Sequence, residues 1–177
     1  LKKAHEENFK VGIRLQSVVK NTVPEWLIEK YNPPVAMLSS GQRLTVVAPW
    51  DDNVRREFEA FIREFGKQGF QDDPAFAWAS IHGIGLALGE EFDLPERDVR
   101  NLEKVAGLTH EKFEAWVLGR LNAWADAFGD KAYKLGWVGG EHLGAPDYDD
   151  VAANAIRPAH RAGANRAGQR TPGGPHV

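Results

Sequence analysis

Cysteine is absent from this sequence, which excludes disulfide staples and thiolate metal ligands and leaves the redox environment open. Long apolar runs are absent too: nothing approaches the ~20 consecutive apolar residues that a membrane-crossing helix needs. Charge of one sign is scarce. The formal net charge is −3 over 177 residues, so no strongly basic face speaks for nucleic acid. No glycine-rich phosphate loop follows an apolar run. Neither the G-x-S-x-G elbow of an esterase nor the H-E-x-x-H pair of a zinc hydrolase occurs. No metal and no cofactor is assigned on this basis. A secretory signal with an apolar core is not visible at Leu1. The first residues read as the inside of a helix, so the sequence is expected to begin at an interior cut and names no compartment.

What is present is an ordinary soluble composition, 42% apolar and 27% charged. Tryptophan is the exception, with six in the chain. Indole rings fill cores, and they also stack on the C–H faces of sugars. For any single tryptophan, core packing is the favoured reading.

Periodicity sets out a series of elements. Residues 1–9 read as the end of a helix, and residues 11–19 (VGIRLQSVV) as a strand with Arg14 and Gln16 inserted. Pro24 opens a short helix that Asn32-Pro33-Pro34 closes. A second strand is expected over residues 44–48. Val54, Phe58, Phe61, Ile62 and Phe65 then share one helical stripe, with Asp51 or Asp52 as N-cap and Gly66 as the stop. Residues 75–81 (AFAWASI) read as a buried strand and residues 86–106 as an elaborated loop around Pro95. A helix from Thr109 carries Phe113, Trp116, Val117, Leu121, Trp124 and Phe128 on one face. Residues 132–138 give a last strand.

Strands alternating with helices predict right-handed crossovers and a mainly parallel sheet. The expected class is therefore α/β, a partial TIM-type (β/α) barrel of parallel strands over residues 1–151. A small doubly wound sheet is the competing architecture. Residues 152–177, rich in Ala, Gly, Pro and Arg and free of acidic residues, are expected to be a disordered tail.

In a parallel barrel the reactive groups sit at the carboxyl ends of strands. That rule selects Arg14, then Trp50 with Asp51 and Asp52, then residues 82–91 beginning at His82, and finally Glu141 with His142. Asp51 and Asp52 are read as helix caps in preference to ligands. Arg14, inside an apolar strand, is expected to be buried and to need a carboxylate partner, for which Glu90 is a candidate.

The third of these places carries a resemblance. DDPAFAWASIHGIGLALGEEFDLP is similar to the fourth-strand region of clan-A glycoside hydrolases, where a D-P-R-V-x-x-V-D-I-G-x-x-G-x-W-G-E run holds the acid. VPEWLIEKY, PWDDNVRREFEAFIREFGKQGF and AWADAFGDKAYKLGWVGG follow the order of those families over roughly residues 8–145. The resemblance implies hydrolysis of O-glycosidic bonds, with Gly89-Glu90 matching the family's Gly-Glu and Glu90 as general acid/base. It implies a carbohydrate substrate, with Arg14, Trp50, His82, Trp137 and Glu141 as substrate-binding candidates. The second carboxylate would lie on a seventh strand, which the sequence is not expected to reach. Leu88 stands where the family has Trp, and Glu91 competes with Glu90. A non-catalytic carbohydrate-binding or scaffolding barrel is the alternative from another class.

Overall fold

The computed structural model describes residues 1–15, 18–39, 44–81 and 94–137. Its elements run α1 (Lys2–Glu6), β1 (Val11–Arg14), α2 (Glu25–Tyr31), β2 (Val35–Met37), β3 (Thr45–Val47), α3 (Asp52–Lys67), β4 (Phe76–Ile81), α4 (Glu96–Ala106), α5 (His110–Phe128) and β5 (Leu135–Trp137). The ends of these elements follow from local chemistry. The Asp51 carboxylate accepts from the Asn53 and Val54 amides at 3.0 and 3.2 Å, which makes Asp51 the N-cap of α3. The Thr109 hydroxyl accepts from the Lys112 amide and opens α5 in the same way. Asn32 and Gly107 take left-handed conformations and close α2 and α4.

Two sheets result. β4 lies between β1 and β5 in a parallel three-stranded sheet, and β2 pairs antiparallel with β3 in a separate hairpin. Among the described residues the chain is thus mixed α/β, with a parallel sheet and no closed barrel. The strand expected over residues 44–48 exists, but it belongs to the hairpin and not to the parallel sheet. Its partner β2 was not expected. Pro33 and Pro34 hold the chain extended there, and Val35 to Met37 continue that extended path alongside β3.

Three further expectations are corrected. The loop read over residues 86–106 ends in a helix, α4. Pro95 stands at its N-cap position, Glu96 and Asp98 lie in its first turn, and Val99, Leu102 and Ala106 form its buried stripe. The last strand is shorter than residues 132–138, because a 3-10 segment Gly129–Lys134 precedes β5. Gly66 does not stop α3. It sits inside the last turn, and Gly69 takes the left-handed conformation beyond it. The expectation for residues 152–177 lies outside the described residues. No helix among the described residues is long and apolar enough to cross a membrane.

The helices α3 and α5 pack on one face of the parallel sheet. Ile62, Phe76, Ala79, Ile81, Trp124 and Phe128 are buried between them. The Trp124 ring meets Phe65 and Phe128 edge-on, with centroids 6.0 and 5.4 Å apart. A second core lies between the hairpin, α4 and the first half of α5, with Leu38, Val46, Trp50, Leu102, Phe113 and Trp116 buried. α5 therefore serves two cores. The stripe read from the sequence is divided between them, and Leu121 packs against both.

The opposite face of the parallel sheet is built differently. Strict alternation would put Phe76 and Trp78 on one side. A register shift between Val11 and Gly12 pairs Val11 with Phe76 but Gly12 with Trp78, leaving Ala77 as the extra residue. Phe76, Ala79 and Ile81 can then all face the helices, while Trp78 turns away from them.

Candidate functional site

Three parallel strands bring their carboxyl ends together. Arg14, the last residue of β1, pairs with Ser80, and Ile81, the last residue of β4, pairs with Trp137, the last residue of β5. In the sequence His82 follows Ile81 directly. Arg14 and Trp137 thus close the two strands that flank the one leading into residues 82–91.

Arg14 is exposed, so the expectation of a buried guanidinium is corrected. β1 is an edge strand, and its Arg14 side faces away from the two helices. A partnership with Glu90 lies outside the described residues, as do His82, Glu90, Glu91, Glu141 and His142.

Trp50 is placed elsewhere. It is 2% exposed, belongs to the core between the hairpin and α4, and donates from Nε1 to the Ala106 carbonyl at 2.8 Å. A ring that stacks on a sugar needs an open face. Trp50 has none here, because the hydrophobic effect that drives its burial has already used both. Asp51 caps α3, and Asp52 reaches Arg55 at 3.3 Å, in keeping with the capping reading.

The structure puts a different tryptophan on the open face. Trp78 is 44% exposed although it sits in a central strand. Its indole lies directly over Gly12 of the neighbouring strand: a Cβ on Gly12 would meet Cε2 at 2.3 Å and Cζ2 at 2.6 Å. Only glycine lets the ring lie so close to the backbone. Gly12, Arg14, Trp78 and Ser80 share this face by register. Sequence reasoning missed Trp78 because AFAWASI is apolar throughout and gives no sign of which residue turns outward. The deciding feature, the register shift opposite Val11, is a pairing between strands distant in sequence.

No family model, curated protein or solved structure matches this chain. The likeness to glycoside hydrolases accordingly rests on the sequence segments quoted above.

Shifted pKa values mark other places. The Tyr31 hydroxyl, 2.5 Å from Glu57 Oε1, holds that carboxyl below its ordinary range, and Lys30 at 3.5 Å adds to the effect. His5, bonded to Asp73 at 3.0 Å, lowers that carboxyl, as does the Ala75 amide. Perturbed groups often mark active sites. These two instead join α2 to α3 and α1 to the turn before β4, and neither is on the open sheet face. An open groove of about 630 Å³ runs beside α2 and β3, lined by Lys20, Asn21, Glu25, Ile28 and Thr45 among others. Glu25 is the one acid among the described residues of its lining, so these offer no pair of carboxylates. No group of three His, Asp or Glu among the described residues is placed to hold a metal ion.

Proposed function

We propose that this chain is part of a (β/α) barrel of glycoside-hydrolase type that acts on O-glycosidic bonds, with Glu90 as general acid/base. The observation that supports it best is the register just described. Arg14, Ile81 and Trp137 end three adjacent parallel strands on one side, and the chain leaves the middle strand into the segment that resembles the acid-bearing region. In this reading Glu90 protonates the glycosidic oxygen as the bond breaks and then takes a proton from the attacking water. That double role belongs to retention, with a second carboxylate ~5–5.5 Å away as nucleophile; in inversion the second carboxylate, ~6.5–9.5 Å away, takes the water's proton and Glu90 acts as acid alone. Trp78, as a ring on which a sugar can stack, replaces Trp50 among the substrate-binding candidates. Arg14, His82, Trp137 and Glu141 remain the candidates for binding sugar hydroxyls.

The test is Glu90→Gln in a form of the protein that turns over aryl glycosides. General acid catalysis contributes ~10²–10⁴-fold, so kcat/KM should fall by that range for leaving groups that need protonation. The loss should be least for leaving groups that depart without it. Wild-type rates in Glu90→Gln, with the loss appearing in Glu91→Gln, would move the role by one residue. Wild-type rates in both would remove it. The non-catalytic alternative draws on Trp78, since a stacking platform works without any carboxylate. That alternative gives sugar-dependent tryptophan fluorescence and no turnover in the wild type.

A further inference from the structure

Resting on the glycan-binding reading above, we infer that the open face of the β1–β4–β5 sheet selects sugars that carry a carboxylate, such as uronic acid residues. The described residues of this face are few: Gly12 and Arg14 from β1, Trp78 and the buried Ser80 from β4, and Gly136 from β5. Arg14 is the one ionisable side chain in this set. It is exposed, and it makes no hydrogen bond or ion pair with any described residue. The charge that the described residues of this face present is therefore positive.

Arg14 also stands at a useful distance from the ring. Trp78 lies over Gly12, and Arg14 is two residues further along the same strand and on the same side, ~6.6 Å away at ~3.3 Å per residue. That is about the width of a sugar ring. A pyranose stacked on Trp78 would bring a substituent at its edge to the guanidinium. A planar guanidinium presents two parallel N–H donors that match the two oxygens of a carboxylate, and such charge-assisted pairs are roughly twice as strong as neutral hydrogen bonds. The aromatic plane selects the ring and the cation selects the acid. A bare phosphate would engage only the second.

Charge is isolated from shape by comparing oligogalacturonate and oligoglucuronate with their own methyl esters. Binding to the full chain is read by tryptophan fluorescence and by the Trp78 indole N–H resonance, assigned with Trp78→Phe. The free acids should bind about tenfold more tightly than the esters at low salt, and the difference should shrink as salt rises. Arg14→Gln should bring acid and ester to within twofold, with the larger loss falling on the acid, while Arg14→Lys keeps part of the preference. Trp78→Ala should weaken both. Equal binding of acid and ester overturns the inference. So does an equal loss of both in Arg14→Gln, or competition by inorganic phosphate alone as strong as by the acid. Binding of neutral glycans with none of uronates overturns the inference and leaves the glycan reading standing. Binding of no glycan removes both.

Discussion

Replacing Gly66 by Ala tests the closest approach in the fold. Gly66 faces Ala127 where α3 crosses α5. A Cβ at Gly66 would lie 2.6 Å from both the Cβ and the carbonyl oxygen of Ala127 and 2.8 Å from its Cα. Backbone atoms cannot rotate aside, so the two helices would have to part by roughly 1 Å to restore ordinary packing. The same crossing is stapled by Gln71, whose Nε2 donates to the Gly66 carbonyl at 2.9 Å and to the Ala127 carbonyl at 3.3 Å. Parting the helices weakens that staple. Overpacking costs about 1–3 kcal/mol, and the strained hydrogen bonds about 1 kcal/mol more. Against this, Ala gains at most about 1 kcal/mol of helix propensity, and less in a last turn. The loss wins by about 2 kcal/mol, a fall in Tm of roughly 4–8 °C for a chain of this size. Gly119→Ala is the control on the partner helix. Its Cβ would meet the Glu59 carboxylate, with Oε1 at 2.1 Å, but a carboxylate can swing away. Swinging breaks its 3.0 Å pair with Arg55, a largely buried pair worth about 1 kcal/mol. That loss and the propensity gain nearly cancel, so Gly119→Ala should leave Tm within about 2 °C. Differential scanning calorimetry on both variants decides the matter. An unchanged or raised Tm for Gly66→Ala would refute the close crossing.

Further outcomes follow from the same contacts. Trp124→Ala empties the core between sheet and helices and should cost about 3–5 kcal/mol, whereas Trp78→Ala on the open face should cost under about 1 kcal/mol; urea midpoints separate the two. Lys134 donates from Nζ to the carbonyls of Gln71 and Phe76 at 2.8 and 2.9 Å. Lys134→Met should cost about 1.5–3 kcal/mol by leaving them unpaired, and amide exchange at the start of β4 should quicken. The folded-state pKa of Asp73 is lowered, so its contribution is present above the ordinary carboxylate range and is lost as pH falls through the lowered value. Asp73→Asn should therefore flatten the acid limb of stability below about pH 4, measured as urea midpoint against pH, with little change in slope above pH 5.

Much of the helical framework was legible because helices announce themselves within one stretch of chain. The stripe through Val54, Phe58, Ile62 and Phe65 and the capping carboxylate of Asp51 are local, and both stand in the structure, while Phe61 of the expected stripe turns outward and is 50% exposed. α4 was lost because its charged residues outnumber its buried ones, although Pro95 and the spacing of Val99, Leu102 and Ala106 were there to read. The sheets were legible only as strands. LTVVA reads the same whether its neighbour is parallel or antiparallel, and its pairing with Val35–Met37 depends on contacts that periodicity does not encode. Site residues divided along the same line. Arg14 stood out as a charge in an apolar run, but whether it faced the helices or the open side was settled by register. Trp50 was chosen for its position after a strand, and the core took it.

The open face itself sets two choices against the ordinary rules of sheets, and one cause accounts for both. Glycine inside a strand costs roughly 0.5–1 kcal/mol in backbone entropy and gives up a side chain that could pack. A large ring left 44% exposed forgoes much of the stabilisation its burial would provide. Neither choice helps a sheet whose only task is to hold α3 and α5. Together they create one thing: an indole ring close against the Gly12 backbone, reachable from outside, with Arg14 two residues along the same strand. Phe76, by contrast, sits on the helix side of the same strand, 6.0 Å from Phe128, so the strand already has its core aromatic. The register shift that separates these two rings gives β4 one aromatic ring in the core and another on the open face. This separation of the two rings, more than any single motif, is the physical ground for the proposal that recognition lies on this side of the sheet.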